Sequence, residues 1–196
     1  MLDLESARLV GKGLHRECFE HPEDSRLCVK IIVAGNSNEN RREAKYYALL
    51  DRRGISWEML AHFHGLVPTS RGEGAVFDLV RDFDGRVSRT LADYLDSEEL
   101  RTVHVQALRA ALQELEAYLL RNRVVTMTLK AKNMVFRRTA ENAGRLVLVD
   151  NVGNSDFIPL SNYSAWVARR KIIRKWRRFE QVLDSRYPGL LYASGV

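Results

Sequence analysis

The chain has 196 residues, 45% of them apolar, which suffices for one domain, or two small lobes around one cleft, but not for two independent enzymes. No run of apolar residues is long enough for a transmembrane helix, and the acidic start Met1-Leu2-Asp3-Leu4-Glu5 is unlike a signal peptide, so the expected location is cytoplasmic. The net charge of +6 is local: Arg169, Arg170, Lys171, Arg174, Lys175, Arg177 and Arg178 lie between Trp166 and Phe179 with no acid among them, more cations than the whole net charge.

The first part of the chain reads as strands. Ala7–Val10 is a short run ended by Gly11, and Leu27–Val33 is β-rich with one charge, Lys30, at its centre. Gly35-Asn36-Ser37-Asn38 reads as a turn. Glu39 to about Arg53 reads as a helix with Ala44, Tyr47, Ala48 and Leu50 as its apolar face, stopped at Gly54. Phe63–Val67 and Ala75–Val80 read as strands joined by a hairpin turn at Arg71-Gly72-Glu73-Gly74.

The remainder is mainly helical. Ser88-Arg89-Thr90 opens a short helix through Leu95. Ser97, followed by Glu98 and Glu99, caps a long helix to about Asn122, with Leu108, Leu112, Leu115 and Leu119 at helical spacing. Val124–Met127, Met134–Phe136 and Arg145–Val149 read as strands around a loop. A last helix runs from about Asn162 to Leu183, with Ile172, Trp176, Phe179 and Leu183 facing inward. The layout is α+β in two lobes, with residues 1–80 as the N-terminal lobe and residues 81–196 as a reduced helical lobe.

Four features carry possible chemistry. Gly11-Lys12-Gly13 lets backbone approach a phosphate, or is a tight turn. Lys30 needs a partner if its strand is central, or points to solvent if the strand is an edge. Glu43, on the following helix, either meets Lys30 or lies on a solvated face. Asn133 and Asp150, ending facing strands, offer oxygen ligands to a divalent cation. His62 and His64 share one face of a strand, with no third metal ligand evident nearby. Cys18 and Cys28 read as two small buried thiols.

The order of Gly loop, strand Lys, helix Glu, Leu129-Lys130-Ala131-Lys132-Asn133 and an apolar strand ending in Asp150 resembles the protein-kinase-like superfamily. More closely, the chain resembles the bacterial YrbL family of PhoP regulatory network proteins. The resemblance spans about residues 6 to 180. It rests on Gly11-x-Gly13 with His15-Arg16 and Cys18, His21-Pro22-Glu23-Asp24, Arg42-Glu43 with Tyr46-Tyr47, and Asp82-Phe83-Asp84-Gly85. It continues through Val125-Thr126-Met127-Thr128-Leu129-Lys130, Asp150-Asn151-Val152-Gly153, Ile158-Pro159-Leu160, Arg170-Lys171, Trp176 and Arg178-Phe179.

The kinase resemblance implies a minimal two-lobed fold, with a five-stranded antiparallel sheet and one helix above a mainly helical lobe. It implies ATP with Mg²⁺ or Mn²⁺ as cofactors. Gly11, Gly13, His15 and Arg16 would lie at the phosphates, Lys30 with Glu43 would hold them, and Asp78 and Leu79 would lie in the adenine hinge. Asn133 and Asp150 would be the metal ligands. Three departures matter. Arg16 replaces the third loop glycine, the segment after Asp150 has no Ala-Pro-Glu, and Thr128 stands where kinases place the catalytic Asp. A hydroxyl is no general base at neutral pH, and such help is worth ~10²–10⁴-fold. Lys130 remains to neutralise a transferring phosphate. The implied function is a regulatory pseudokinase or a slow, atypical phosphotransferase. The alternatives are a small-molecule or envelope-sugar kinase, and an interaction module that binds no nucleotide. The Arg169–Arg178 helix is either a solvated face or a surface for an acidic protein, an anionic membrane or nucleic acid, although no nucleic-acid motif accompanies it.

Overall fold

The computed structural model describes residues 1–34, 38–153, 161 and 164–191, without the side chains of 38 and 39. The expected turn at 35–37, the Ile158-Pro159-Leu160 motif and the expected helix start at 162–163 lie outside them.

The first half forms a five-stranded antiparallel sheet. Its strands are β1 (Leu9–Lys12), β2 (Arg16–Glu20), β3 (Leu27–Ile32), β4 (Phe63–Thr69) and β5 (Gly72–Asp78), in the order β1-β2-β3-β5-β4. Helix α1 (Asn38–Arg52) follows β3. The second half has α2 (Leu91–Asp96), α3 (Glu98–Asn122), a single 3₁₀ turn (Ala131–Asn133), the hairpin β6 (Met134–Ala140) and β7 (Ala143–Leu148), and α4 (Ala165–Arg186). The chain is therefore α+β, with the antiparallel sheet N-terminal and the long helices C-terminal. Among the described residues no helix is long and apolar enough to cross a membrane.

Strand β3 is the middle of the sheet and is buried on both faces. Val29 and Ile31 join Leu4, Phe19 and Val76 in a small core on one face. The N-terminal segment covers this face: Leu2 donates to the Pro68 carbonyl, and the Leu4 amide donates to the Ser70 hydroxyl. On the other face Cys28 and Phe77 enter the main core, which continues without a break through Tyr47, Leu115, Phe136 and Trp176. One apolar cluster thus crosses the expected lobe boundary at residue 80.

Several local readings shift. Strand β1 runs through Gly11 instead of ending there. Strand β2 is the fifth strand that the resemblance implies, but local pattern does not locate it, because three charges in Arg16-Glu17-Cys18-Phe19-Glu20 mask the alternation; pairing with β1 and β3 on either side holds it. The turn between β4 and β5 is Ser70-Arg71, not residues 71–74. Gly74 lies inside β5, where a Cβ would come within 2.5 Å of the Val29 side chain, so close packing and not turn geometry requires glycine there. Val124–Met127 is not a strand: only Thr126 bridges, to Val152. Val124 and Val125 are buried as irregular backbone, satisfied by the Tyr46 hydroxyl at the Val125 amide (2.7 Å) and by Asn151 and Gly153. On α1, Ala48 is exposed, and the buried face holds Asn40, Glu43, Tyr46, Tyr47 and Leu50.

The helix ends follow local chemistry. Ser97 accepts from the Leu100 amide and caps α3 as expected. Thr90 and Asp93 form a reciprocal capping box at α2. Helix α4 buries Ile172, Trp176, Phe179 and Leu183, the stripe that its spacing indicates.

His104 on α3 is buried against Tyr94, and its Nδ1 has no hydrogen-bond partner. Burial, and then Arg138, push its pKa below the ordinary imidazole value. The unfolded chain therefore takes up the proton first on acidification. The stability His104 contributes is complete above ~6.5 and is lost as pH falls from there through the lowered folded value. The expected slope is at most about 1.4 kcal/mol per pH unit. Urea titrations of wild type and His104→Leu between pH 7.5 and ~5 check this: the wild-type midpoint should fall more steeply on acidification. Parallel pH profiles would show that other groups set the acid limit.

Candidate functional site

A cavity of about 870 Å³ opens between the β1–β3 side of the sheet and the segments that carry Thr128, Asn133 and Asp150. Its lining includes Gly11, Gly13, His15, Arg16, Lys30, Glu43, Asp78, Leu79, Lys130 and those three residues. The structure thus brings all twelve sequence-derived site residues to one cleft.

The tip of the β1–β2 hairpin forms one wall. The Gly13 amide donates to the Arg16 carbonyl (2.8 Å), closing the turn. Neither Gly11 nor Gly13 has a positive φ, and a Cβ built on Gly11 would meet nothing within 4 Å. Packing among the described residues does not call for glycine at 11. Glycine there leaves the backbone bare beside the cavity that it lines. His15 is exposed, with Nδ1 3.2 Å from the Ala34 carbonyl.

Lys30 projects from the central strand into the cleft, which rules out the edge-strand alternative. It is 7% exposed. Its ammonium donates to the Val149 carbonyl and lies 4.2 Å from the centroid of the Phe77 ring. Burial alone would lower its pKa. The fields of Asp150 and then Glu43 outweigh that and hold it above the usual lysine value, so it is charged.

Glu43 is buried (6% exposed), so it is not on a solvated face. Its direct partner is nevertheless not Lys30. Arg16 Nη1 donates to Glu43 Oε2 at 2.6 Å and reaches 3.8 Å from Asp150 Oδ1. Among the described residues no ion pair joins Lys30 to Glu43. Arg16 therefore pairs with Glu43 and lies within ion-pair range of Asp150. Sequence reasoning placed Arg16 at the cleft and missed this pairing, for which charge complementarity between Arg16 and Glu43 was the available signal.

Asn133 is buried, and its Nδ2 has no hydrogen-bond partner. Its carbonyl accepts from the Val149 and Asp150 amides (3.0 and 3.3 Å), so the backbone holds it beside Asp150. The Asp150 side chain is 42% exposed. Asn133 carries an amide oxygen and Asp150 a carboxylate. That donor set suits a hard divalent cation whose remaining ligands are phosphate oxygens or water.

Asp78 and Leu79 line the cleft, but the Asp78 carboxylate is engaged by His64 Nε2 (2.6 Å) and the His62 amide (3.0 Å). The Leu79 amide donates to the Arg26 carbonyl. His62 itself meets Asp51, and among the described residues no three His, Cys, Asp or Glu side chains cluster as metal ligands. Thr128 and Lys130 are exposed and line the cavity, and Lys130 forms no ion pair among the described residues. Cys28 is buried; Cys18, half-buried beside it and near Lys30, is the more acidic thiol, chiefly through its hydrogen bond with Cys28. The Asp82-Phe83-Asp84-Gly85 motif is a tether: Asp82 and Asp84 both pair with Arg138 of β6 (2.9 and 2.6 Å), a partner that sequence reasoning did not identify.

The chain is thus an α+β protein with a cleft in which Arg16 and the buried Lys30 lie close to Glu43 and Asp150. It belongs to the family of the PhoP regulatory network protein YrbL, whose model matches residues 2–184. It is 42% identical over 183 residues to the uncharacterised protein YrbL of Escherichia coli K12, covering 91% of this chain and 86% of that one. The uncharacterised YrbL of Shigella flexneri matches with the same identity and coverage.

Proposed function

We propose that the chain is a kinase-like nucleotide-binding protein, acting as a regulatory pseudokinase or as a slow, atypical phosphotransferase. The observation that carries this reading is Lys30: a charged lysine buried at the centre of the sheet, aimed into a cavity, within the field of Asp150 and Glu43. A buried ammonium is costly unless it has a task or a strong partner. Its direct partners here are a carbonyl and an aromatic face. Gly11 supports the reading, since bare backbone at the hairpin serves an incoming phosphate better than it serves the packing.

In this reading Lys30 and the hairpin amides hold the phosphates, and Asn133 and Asp150 hold Mg²⁺ or Mn²⁺. A divalent ion there would supply neutralisation of phosphate charge. Thr128 gives the loop no carboxylate for proton removal, and Lys130 keeps an exposed cation near it. The test is the melting temperature with ATP, with and without Mg²⁺ or Mn²⁺. A folded protein that shows no shift at millimolar nucleotide would favour the interaction-module alternative.

The absent base makes a separate prediction. Wild type should transfer little phosphate to generic protein substrates, and Thr128→Ala should bind ATP as wild type does. Thr128→Asp should raise ATP hydrolysis, by up to ~10²-fold. Rapid turnover by both wild type and Thr128→Ala would show that the reaction needs no base at this position.

A further inference from the structure

A second cavity, of about 910 Å³, lies between the Met127–Lys132 segment and one face of α4. It shares Met127, Thr128, Lys130 and Lys132 with the cleft described above, so the two spaces meet at the loop. Its position divides the basic helix. Lys171, Arg174, Lys175 and Arg178 line it, whereas Arg169, Arg170 and Arg177 do not. Arg170 instead lies 4.6 Å from the ring centroid of the exposed Trp166.

The groove is cationic with an apolar floor. Lys130, Lys132, Arg174 and Arg178 are exposed and form no ion pair among the described residues. Its one lining acid, Asp96, is engaged by Arg186 (3.0 Å) and the Tyr187 hydroxyl. Phe179, Val182 and Leu183 lie along the same helix face. Several exposed cations lining one concave space of this size suit a small molecule; pockets of roughly 300–1,000 Å³ are typical for such ligands. A membrane or nucleic acid would instead call on cations spread over the outer face.

We infer that this groove binds an organic phosphate monoester, with its phosphoryl group on Arg174, Arg178 and Lys132 and its carbon skeleton on Phe179 and Val182. A ligand seated there abuts Thr128 and Lys130. Its role as the acceptor or effector of the nucleotide site rests on the reading above; its binding does not.

The probes are phenyl phosphate, inorganic phosphate and phenol, titrated calorimetrically against the full chain. Vesicles containing phosphatidylglycerol and a short DNA duplex are parallel arms. Phenyl phosphate should bind saturably at millimolar concentration or below, and more tightly than inorganic phosphate or phenol. The exposed double variant Arg174→Ser/Arg178→Ser should weaken it at least ~10-fold, as expected for two lost charge-assisted contacts. Arg169→Ser/Arg177→Ser, outside the groove, should leave it unchanged, as should Lys30→Met. Binding of phenyl phosphate no tighter than inorganic phosphate, equal losses in the two double variants, or binding only to vesicles or DNA would each overturn the inference. If wild type binds phenyl phosphate through Arg174 and Arg178 but does not bind ATP, the nucleotide reading falls and this site stands. If ATP binding depends on Lys30 while phenyl phosphate never binds, the reverse holds.

Discussion

Lys30→Met should reduce ATP·Mg²⁺ binding by roughly 10- to 150-fold, the equivalent of one charge-assisted hydrogen bond of about 1.5–3 kcal/mol. Methionine keeps most of the length and the apolar stem of lysine, so the space over Phe77 stays filled, but the cation–π contact of the ammonium is lost. What disappears is the positive charge facing Asp150 and Glu43. A polyphosphate entering the cleft then meets those carboxylates with Arg16 as the remaining cation within ion-pair range of them. The variant also leaves the Val149 carbonyl without its donor, costing about 1–3 kcal/mol of stability. Thermal shifts should therefore be compared relative to each protein's own ligand-free melting temperature. Equal ATP-induced shifts in wild type and Lys30→Met would remove the main support for a nucleotide site.

Arg16→Ala should act in the opposite direction and tighten ATP·Mg²⁺ binding about 10-fold, with a steeper dependence on the metal. Arg16 bonds Glu43 and stands 3.8 Å from Asp150, the carboxylate that a divalent cation would use. While it does so, Glu43 is not paired with Lys30, and Asp150 faces a competing cation. A conformation that must be vacated before ligand binds lowers apparent affinity by the fraction of time it persists. Removing the guanidinium lifts that restriction. The ligand-free fold should lose about 1–3 kcal/mol, because Glu43 is buried and loses a hydrogen-bond donor, with Lys30 near enough to compensate in part. Calorimetric titration of ATP at several Mg²⁺ concentrations gives both quantities. A fall in affinity would show that Arg16 binds the phosphates itself, and that the pairing with Glu43 is a resting position for a ligand-binding arginine.

Much of the candidate site is legible in the sequence. Lysine in the middle of Cys28-Val29-Lys30-Ile31-Ile32 is out of place in a central strand unless something receives it, and its anomaly is visible in five residues. The groups that receive it were not. The carbonyl it meets belongs to Val149, 119 positions away, and the carboxylate expected to pair with it is taken by an arginine 27 positions before that carboxylate. Two cations compete for Glu43, and sequence order cannot rank them, since the winner depends on where β2 sits beside β3.

The same division holds for the fold. Periodicity and caps are properties of a few consecutive residues. The leucines of α3 at helical spacing, the Ser97 cap and the apolar stripe of α4 could therefore be read directly. Strand β2 and the segment Val124–Met127 could not, because each is decided by its neighbours. A charged strand forms where two partners pair with it, and an apolar run stays irregular where Tyr46, Asn151 and Gly153 satisfy its backbone. The basic cluster shows the limit most plainly. By itself the sequence determined that seven cations lie on one C-terminal helix. Only the tertiary structure decided that four of them line a groove against the Thr128 loop and three do not. A helix presents every side of itself to solvent until packing of Ile172, Trp176 and Phe179 selects which side faces in and what the neighbouring sides then face.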